Sequence, residues 1–518
     1  MINISKKKDC CGCNACGDVC PKHSITFKID KEGFWYPEVE MDTCIDCHLC
    51  EKVCPLLNKE EYKNIDGYVK PKTYALVHKN IEVRFDSTSG GAFTALAEEV
   101  YKQGGFVGGA IYNEDWSVSQ FLSSSKNDLP KLRSSKYLQS HFDGFYKSVK
   151  EALKTEKPVL VCGSPCQMAA MFRYLKKPYE NLIIVDYICR GIASPMYFRK
   201  WINYLENKHN SKVIFYKAKS KELGWRKLST RIEYANGEAD VIAGHDNPWL
   251  MMQYKVPEIC RPSCFECSFK GFPRTSDITM GDLWAKKGSI PQNLDGDLGT
   301  SIVFANNAKG EAFLSRCFKK VEYKEFPFET AVKGNFHLEN AVRHSSYDRE
   351  TFFQDLNESF EECIDKYIPE FNHQQYSVKS KTKNFLKFVW KISSASGWSI
   401  STWRKNLWYN IFSSKVKTSI FKGHYFIIEK NCTIQINSKG RLILDSALYF
   451  GTKKVKGSIL DSRLLIESGG IMRIYGGDYS ISYGADIEVF RNALLEIGGG
   501  VGANIGLTIV CGDKIKIG

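Results

Sequence analysis

The sequence predicts a chain of several domains, α+β at the front, α/β in the middle and a parallel β-coil at the end. Three observations predict this. Two matching cysteine runs fill the first sixty residues. Apolar strand-like runs then alternate with helical patterns, and cysteines stand where two of the strands end. In the last hundred residues short apolar beats recur with glycine and asparagine between them.

The front reads Cys10, Cys13, Cys16, Cys20-Pro21 and then Cys44, Cys47, Cys50, Cys54-Pro55. Each half is C-x2-C-x2-C-x3-C-P, the spacing of a two-cluster ferredoxin. Three thiolates on one tight loop reach three corners of a four-iron cube. The fourth cysteine of each run ligates the other cluster. The expected sets are therefore Cys10, Cys13, Cys16 and Cys54, and Cys44, Cys47, Cys50 and Cys20, with Cys11 outside both. Zinc would want paired cysteines without the third in-loop thiol. A disulfide framework would want a secretory signal, and none is present. The runs 25–29 and 34–39 read as strands around a turn. The expected ferredoxin domain is 1–62.

The totals set limits. A chain of 518 residues with 43% apolar composition predicts three or four globular domains. Nineteen cysteines without a signal peptide predict reduced thiols and a cytoplasmic protein. No run of about eighteen apolar residues occurs, so no membrane span is expected. The net charge of +14 is not spread evenly, most of the excess falling between residues 371 and 428, and no nucleic-acid partner is expected.

The second domain is expected over 73–370. Thr73–His78, Gly104–Tyr112, Val118–Leu122, Pro158–Cys162 and Leu182–Tyr187 read as strands, and helices are expected from Ser87–Thr94 and from Gln167 to Leu175. Ligands in such sheets gather at the carboxyl ends of strands. Ser89, Gly90, Gly91 and Thr94 open a helix, where bare N–H groups either cradle a phosphate or form an ordinary cap. Cys260-x3-Cys264-x2-Cys267 covers three corners of a third cube or, nearly as well by spacing, three ligands of a zinc ion. Cys166 or Cys189, each on a turn after a strand, is the expected fourth ligand.

Seven stretches carry a resemblance: STSGGAFT (87–94), RSSKYLQS (133–140), GSPCQ (163–167), ICRG (188–191), RPSCFEC (261–267), SDITMGDLW (276–284) and GTSIVFA (299–305). With them the region from about 73 to 345 resembles the beta subunit of coenzyme F(420)-reducing hydrogenase and its dehydrogenase relatives. The resemblance implies an α/β flavin domain holding FAD beside a third [4Fe-4S] cluster. It makes Ser89, Gly90, Gly91 and Thr94 the pyrophosphate cradle, with Gly163 also at the cofactor. It puts Lys136 and Tyr137 against the flavin, with Lys136 a catalytic or charge-neutralising cation. Asp282, with Gly281 and Trp284, stands at the site mouth or is a turn carboxylate.

From Phe371 to Ile428 there is no acidic residue among ten lysines and arginines, interleaved with Trp390, Trp398, Trp403 and Trp408. Residues 371–420 are expected as a basic, aromatic, helical linker that lies on the inner membrane face or is a solvated helix docking on a neighbouring subunit. Residues 421–518 beat every six residues, from Ile481 to Ile487, Val489 to Leu495 to Val501 and Ile509 to Ile515. This resembles the left-handed β-helix of hexapeptide-repeat acyltransferases, which implies a homotrimer. The repeat is still running at Ile517, so either a truncated chain or another copy covering that end is expected. No histidine follows His424 to serve as the base of acyl transfer.

Two functions fit. The first is an oxidoreductase that passes electrons from a ferredoxin or similar carrier through the clusters to FAD and on to a small molecule. The tail suggests that this is a sugar in polysaccharide metabolism. The second is an electron-transfer adaptor to a partner enzyme, or a bifunctional fusion of redox and acyltransferase parts.

Overall fold

The structure is a computed structural model. It describes residues 1–518 apart from 65–66, 286–289, 291–292, 295–296, 370, 372–377, 397–398, 431, 453–460, 499–501, 504–505 and 518. The chain forms two compact units, one of residues 1–221 and 228–368, the other of 222–227 and 369–518.

The first unit begins with the cysteine module. Strands β1 (Ile25–Ile29) and β2 (Trp35–Val39) pair antiparallel, with Ile25 opposite Val39. Short helices α1 (Ala15–Val19) and α2 (Leu49–Val53) each start from a left-handed residue, Asn14 at φ 62° and His48 at φ 58°. Each ends at the last cysteine of its run, Cys20 or Cys54. Equal spacing in the sequence has produced equal loops.

An eight-stranded sheet follows. Its members are β3 (Lys72–His78), β4 (Phe106–Tyr112), β5 (Val118–Ser123), β6 (Val159–Gly163), β7 (Leu182–Tyr187), β11 (Ile278–Asp282), β12 (Ser301–Ala305) and β13 (Val321–Glu325). A separate three-stranded sheet holds β8 (Val213–Ser220), β9 (Ser229–Tyr234) and β10 (Ala239–Ile242). The large sheet runs β13-β3-β12-β11-β7-β6-β4-β5. Strands β4, β6, β7 and β11 are mutually parallel. Strand β12 opposes both β11 and β3, so β3 points the same way as the parallel four. Parallel strands are covered on both faces and read as unbroken apolar runs, as Val159-Leu160-Val161 does, with each residue fully buried. The helices α3 (Ala92–Lys102) and α4 (Pro165–Leu175) follow β3 and β6. Ser164 caps α4, its N–H donating to Gln167 Oε1 at 2.9 Å.

The second unit is a three-sided coil. Its strands form three parallel sheets of five, four and four members, each sheet taking every third strand of the sequence. Leu442, Met472, Leu495 and Ile515 stand in register down one side, so successive coils are 30, 23 and 20 residues long. A strict six-residue repeat on three sides would return after roughly 18. The six-residue beat therefore describes the passage from one side to the next in the later coils, and longer corners lengthen the rest. Ile481, Ile487, Val489 and Leu495 point into the coil and are fully buried; Val501 lies outside the described residues.

The expected linker is not free of the coil. Its helix Val378–Ser396 packs Phe388, Ile392 and Ala395 onto Tyr425, Ile427 and Ala447. From the helix Ile400–Leu407 and the turn after it, Asn406 and Asn410 grip the strand Phe426–Ile428. Asn406 accepts the N–H of Ile428 and donates to its carbonyl, both at 2.8 Å. Asn410 does the same with Phe426, at 2.7 and 2.6 Å. Two amide side chains thus take the place of a neighbouring strand. Trp390 and Trp408 remain exposed; Trp403 is partly buried, and Trp398 lies outside the described residues.

Candidate redox site

Two hollows in the cysteine module are lined by the two thiol sets. Cys10, Cys13, Cys16 and Cys54 line one, together with Cys11, Ile2 and Phe27. Cys20, Cys44, Cys47 and Cys50 line the other. Each run thus lends its last cysteine to the other hollow. Backbone N–H groups reach the sulfurs, Ile2 to Cys50 and Ser24 to Cys20, both at 3.3 Å. Burial pushes the Cys16 thiol well up and the Cys54 thiol to about 12. Such thiols stay protonated at neutral pH until a metal displaces the proton. Among the described residues no three His, Cys, Asp or Glu side chains are gathered tightly enough for a single metal ion.

A third group of thiols forms in the same unit. Cys260, Cys264, Cys189 and Cys166 are electrostatic neighbours, and Cys267 is a neighbour of Cys166 and Cys189. A Cβ on Gly191 would lie 2.9 Å from Cys260 Sγ, so only glycine lets the 188–191 turn approach. The Ile192 N–H donates to Cys264 Sγ at 3.3 Å. Burial pushes Cys189 up to about 12. A hydrogen bond from Cys11 brings Cys166 down to about 7 against its burial. Cys11, outside both expected sets, thus bonds Cys13 on one side and Cys166 on the other. The doubled cysteine at 10–11 was the one signal of this in the sequence.

The other expected residues meet at one edge of the large sheet. The parallel strands end there at Tyr112, Gly163, Tyr187 and Asp282. Ser301 stands between Asp282 and Leu76 in register. Against Ser301 lies the 87–91 loop. The Gly90 N–H donates to Ser301 Oγ at 2.9 Å, and Ser89 Oγ donates to the Thr300 carbonyl at 2.7 Å. A Cβ on Gly90 would sit 2.3 Å from the Leu76 carbonyl. Thr94 Oγ1 accepts from Arg133 Nε at 3.1 Å. Ser89, Gly90 and Thr94 are thus engaged with protein groups. Gly91, at φ 94°, starts α3 without a side-chain cap and leaves that helix end to other acceptors.

Lys136 is also turned to the backbone. Its Nζ donates to the carbonyls of Lys131, Arg133 and Ser134 at 2.7, 2.9 and 3.1 Å. Burial brings its ammonium down to about 7. The cations that face the edge come from β8, which the sequence reading passed over. Lys217 and Lys219 lie two apart on that strand, and Lys221 follows directly after its end. Lys217 pairs with Asp86 at 2.7 Å, and Arg133 joins the same carboxylate. Lys219 pairs with Asp282 at 2.5 Å and lies over the rings of Tyr137 and Trp284. Lys221 donates to the carbonyls of Arg84 and Ser89. Burial and Lys217 bring Lys221 down to about 7.

An aromatic wall closes this edge. Tyr137 meets Trp249 edge-on at 6.3 Å, Tyr216 links Trp249 to Tyr112, and Tyr112 stacks on Phe198. Tyr112 Oη and Trp249 Nε1 are buried without a hydrogen-bond partner, as is Gln253 Nε2 one turn beyond Trp249. Buried polar groups of this kind call for a partner. Flat apolar rings, unanswered donors, an uncapped helix end and surplus cations fit a ligand with a ring system and phosphates.

These features define an iron-sulfur electron-transfer protein of the oxidoreductase type. Residues 9–57 match the 4Fe-4S dicluster domain, and residues 156–330 match the family described as coenzyme F(420) hydrogenase/dehydrogenase, C terminus of the beta chain. The chain is 24% identical to an uncharacterized protein of Methanocaldococcus jannaschii over 59% of its own length and 86% of the relative's. It is 22% identical to a component of the F(420)H(2) dehydrogenase of Methanosarcina mazei over 34% of its length, and spans about half (51%) of that component. A chain of the F(420)-reducing nickel-iron hydrogenase complex from Methanosarcina barkeri aligns with 54% of this chain and 99% of its own, at a TM-score of 0.35 and 16% identity. Among the described residues no helix is long and apolar enough to cross a membrane.

Proposed function

We propose that this chain is an iron-sulfur flavoprotein that takes electrons from a ferredoxin-type carrier and reduces a small molecule at the carboxyl edge of its large sheet. The carrying observation is that three thiol groups and the cation-lined edge lie in one unit, with Cys11 touching both the first and third groups. Cys260, Cys264 and Cys267, with Cys166 or Cys189, would hold a third [4Fe-4S] cluster. FAD, when bound, would turn single electrons into hydride transfer. Gly91 and the start of α3 would face its phosphates, and Lys217, Lys221 and Arg133 would balance their charge. Tyr112, Tyr137 and Trp249 would exclude water from its ring. The Lys219–Asp282 pair would hold a proton beside it.

In the second unit the three-sided coil fits a left-handed, trimer-forming stem, and the resemblance of its repeat to hexapeptide-repeat acyltransferases favours a sugar substrate. Anaerobic preparation with iron and flavin analysis tests the centre of this reading. About twelve iron atoms and one FAD per chain are expected. Cys264→Ala should lose about four iron atoms and keep the rest. Eight iron atoms without flavin would leave the adaptor reading instead.

A further inference from the structure

Arg261 is fully buried, and among the described residues no carboxylate pairs with it. Arg274, also buried in the same unit, has Asp186 at 3.1 Å. A guanidinium cannot shed its proton, and a buried charge needs an opposite one. The partners of Arg261 are all neutral. Nε donates to the Cys10 carbonyl at 2.7 Å, Nη1 to Gln139 Oε1 at 2.9 Å and Nη2 to the Trp35 carbonyl at 3.0 Å. The group lies 4.2 Å over the Tyr36 ring. Gln139 in turn donates to the Gly12 carbonyl at 3.3 Å. The cation is therefore fixed against the 10–13 loop, which lines the first hollow.

A four-iron cube with four thiolates carries net negative charge, and reduction adds one more. A fixed cation beside it favours the reduced form and raises the potential. We propose that Arg261 is the counter-ion of the cluster held by Cys10, Cys13, Cys16 and Cys54. It sets that cluster's potential above that of the cluster held by Cys20, Cys44, Cys47 and Cys50. The ionisable groups lining the second hollow are the exposed Lys22 and His48 and the amino terminus, itself paired with Glu51 at 2.7 Å, and Asp9 lines the first. Cys47 of that set is exposed, whereas the first set adjoins Cys11 and the third thiol group. Electrons entering at the exposed cluster would thus run downhill toward the interior. Arg261 also follows Cys260 directly, so one peptide unit spans the first and third groups. The proposal rests on the N-terminal clusters and stands whether or not the third cluster and FAD bind.

The test is a potentiometric titration followed by electron paramagnetic resonance on the anaerobic full-length protein. Arg261→Gln should lower the reduced-to-oxidised ratio of one N-terminal cluster at least about tenfold at fixed potential, which is about 59 mV for a one-electron couple. The other N-terminal cluster should not move. Arg261→Lys keeps the charge and should recover most of the shift. An unshifted Gln variant with full iron content would overturn the proposal, as would a Lys variant shifted as far as Gln. If Gln loses iron, Lys decides: a cluster retained near the wild-type potential supports the counter-ion, and its loss or a full shift refutes it.

Discussion

Lys219 Nζ lies 2.5 Å from Asp282 Oδ2, so a strand of the small sheet closes on the end of a parallel strand of the large one. Burial opposes the charge, yet Asp282 keeps the Lys219 ammonium above its usual value. Asp282→Asn leaves a largely buried cation unpaired, which should cost about 3 kcal/mol, measured by chemical unfolding. A raised lysine pKa contributes stability that is complete below about pH 10.4 and lost only above it. The wild-type pair should therefore show no pH dependence between pH 6 and 9. An Asn variant as stable as the wild type would remove the pair from the account.

Lys136 and Lys221 are held down to about 7. Between pH 7 and about 10.4 the unfolded chain binds these protons and the folded one does not, so ligand-free stability should rise with pH there. Below pH 7 both states are protonated and the contribution is flat. A bound polyanion beside Lys221 would raise its value. FAD or pyrophosphate binding at pH 8 should take up protons, and binding at pH 5.5 should not. Calorimetry in buffers of different ionisation enthalpy reads this directly; equal heats at pH 8 would place the phosphates elsewhere.

Gly12 has φ 70°, and a Cβ there would lie 2.2 Å from Gln139 Nε2 and 2.9 Å from Arg261 Nη1. Gly12→Ala should displace the loop carrying Cys10 and Cys13 and lose about four iron atoms. The set with Cys44, Cys47 and Cys50 should persist. Iron analysis with visible absorption checks it.

Replacing Asn406 and Asn410 together by alanine would bare two backbone groups each of Phe426 and Ile428. Each unmet buried group costs about 1–3 kcal/mol. The expected result is a lower melting temperature and self-association through the freed strand edge, seen by light scattering. A monodisperse double variant with unchanged melting would show that the edge has another cover.

Leu386 and Trp390 on the helix Val378–Ser396, and Trp408 and Phe412 in the turn after Ile400–Leu407, are more than half exposed, and the two helices also carry Lys387, Lys391, Arg404 and Lys405. This pattern suits an anionic lipid surface. The protein should sediment with phosphatidylserine vesicles at low salt and be released by about 0.5 M salt, where screening shortens to a few ångströms. Binding equal to neutral vesicles would exclude it.

The thiol sets were legible because metal geometry fixes their spacing within a few residues, and the carboxyl-edge residues because strand ends carry them. The cations were not. Lysines alternating at 217, 219 and 221 look like the wet face of a strand, and their carboxylates lie 131 and 63 residues away at Asp86 and Asp282. Ser89 and Gly90 looked like open phosphate donors because their acceptors, Thr300 and Ser301, are 211 residues distant. The grip of Asn406 and Asn410 was hidden for another reason. Asparagine four residues apart in a basic helix gives no hint that its amides stand in for a strand.

That grip bears on how such a tail can change through inheritance. The Asn406 and Asn410 side chains close one strand of the first turn, and the helix Val378–Ser396 reaches onto the next turn at Ala447. A duplicated or deleted turn farther along would leave both contacts intact, because each turn recognises only its immediate neighbours. Unequal turn lengths of 30, 23 and 20 residues in one stack show that insertions at the corners are tolerated. The length of the tail can therefore drift among descendants while the electron-carrying unit keeps its own constraints.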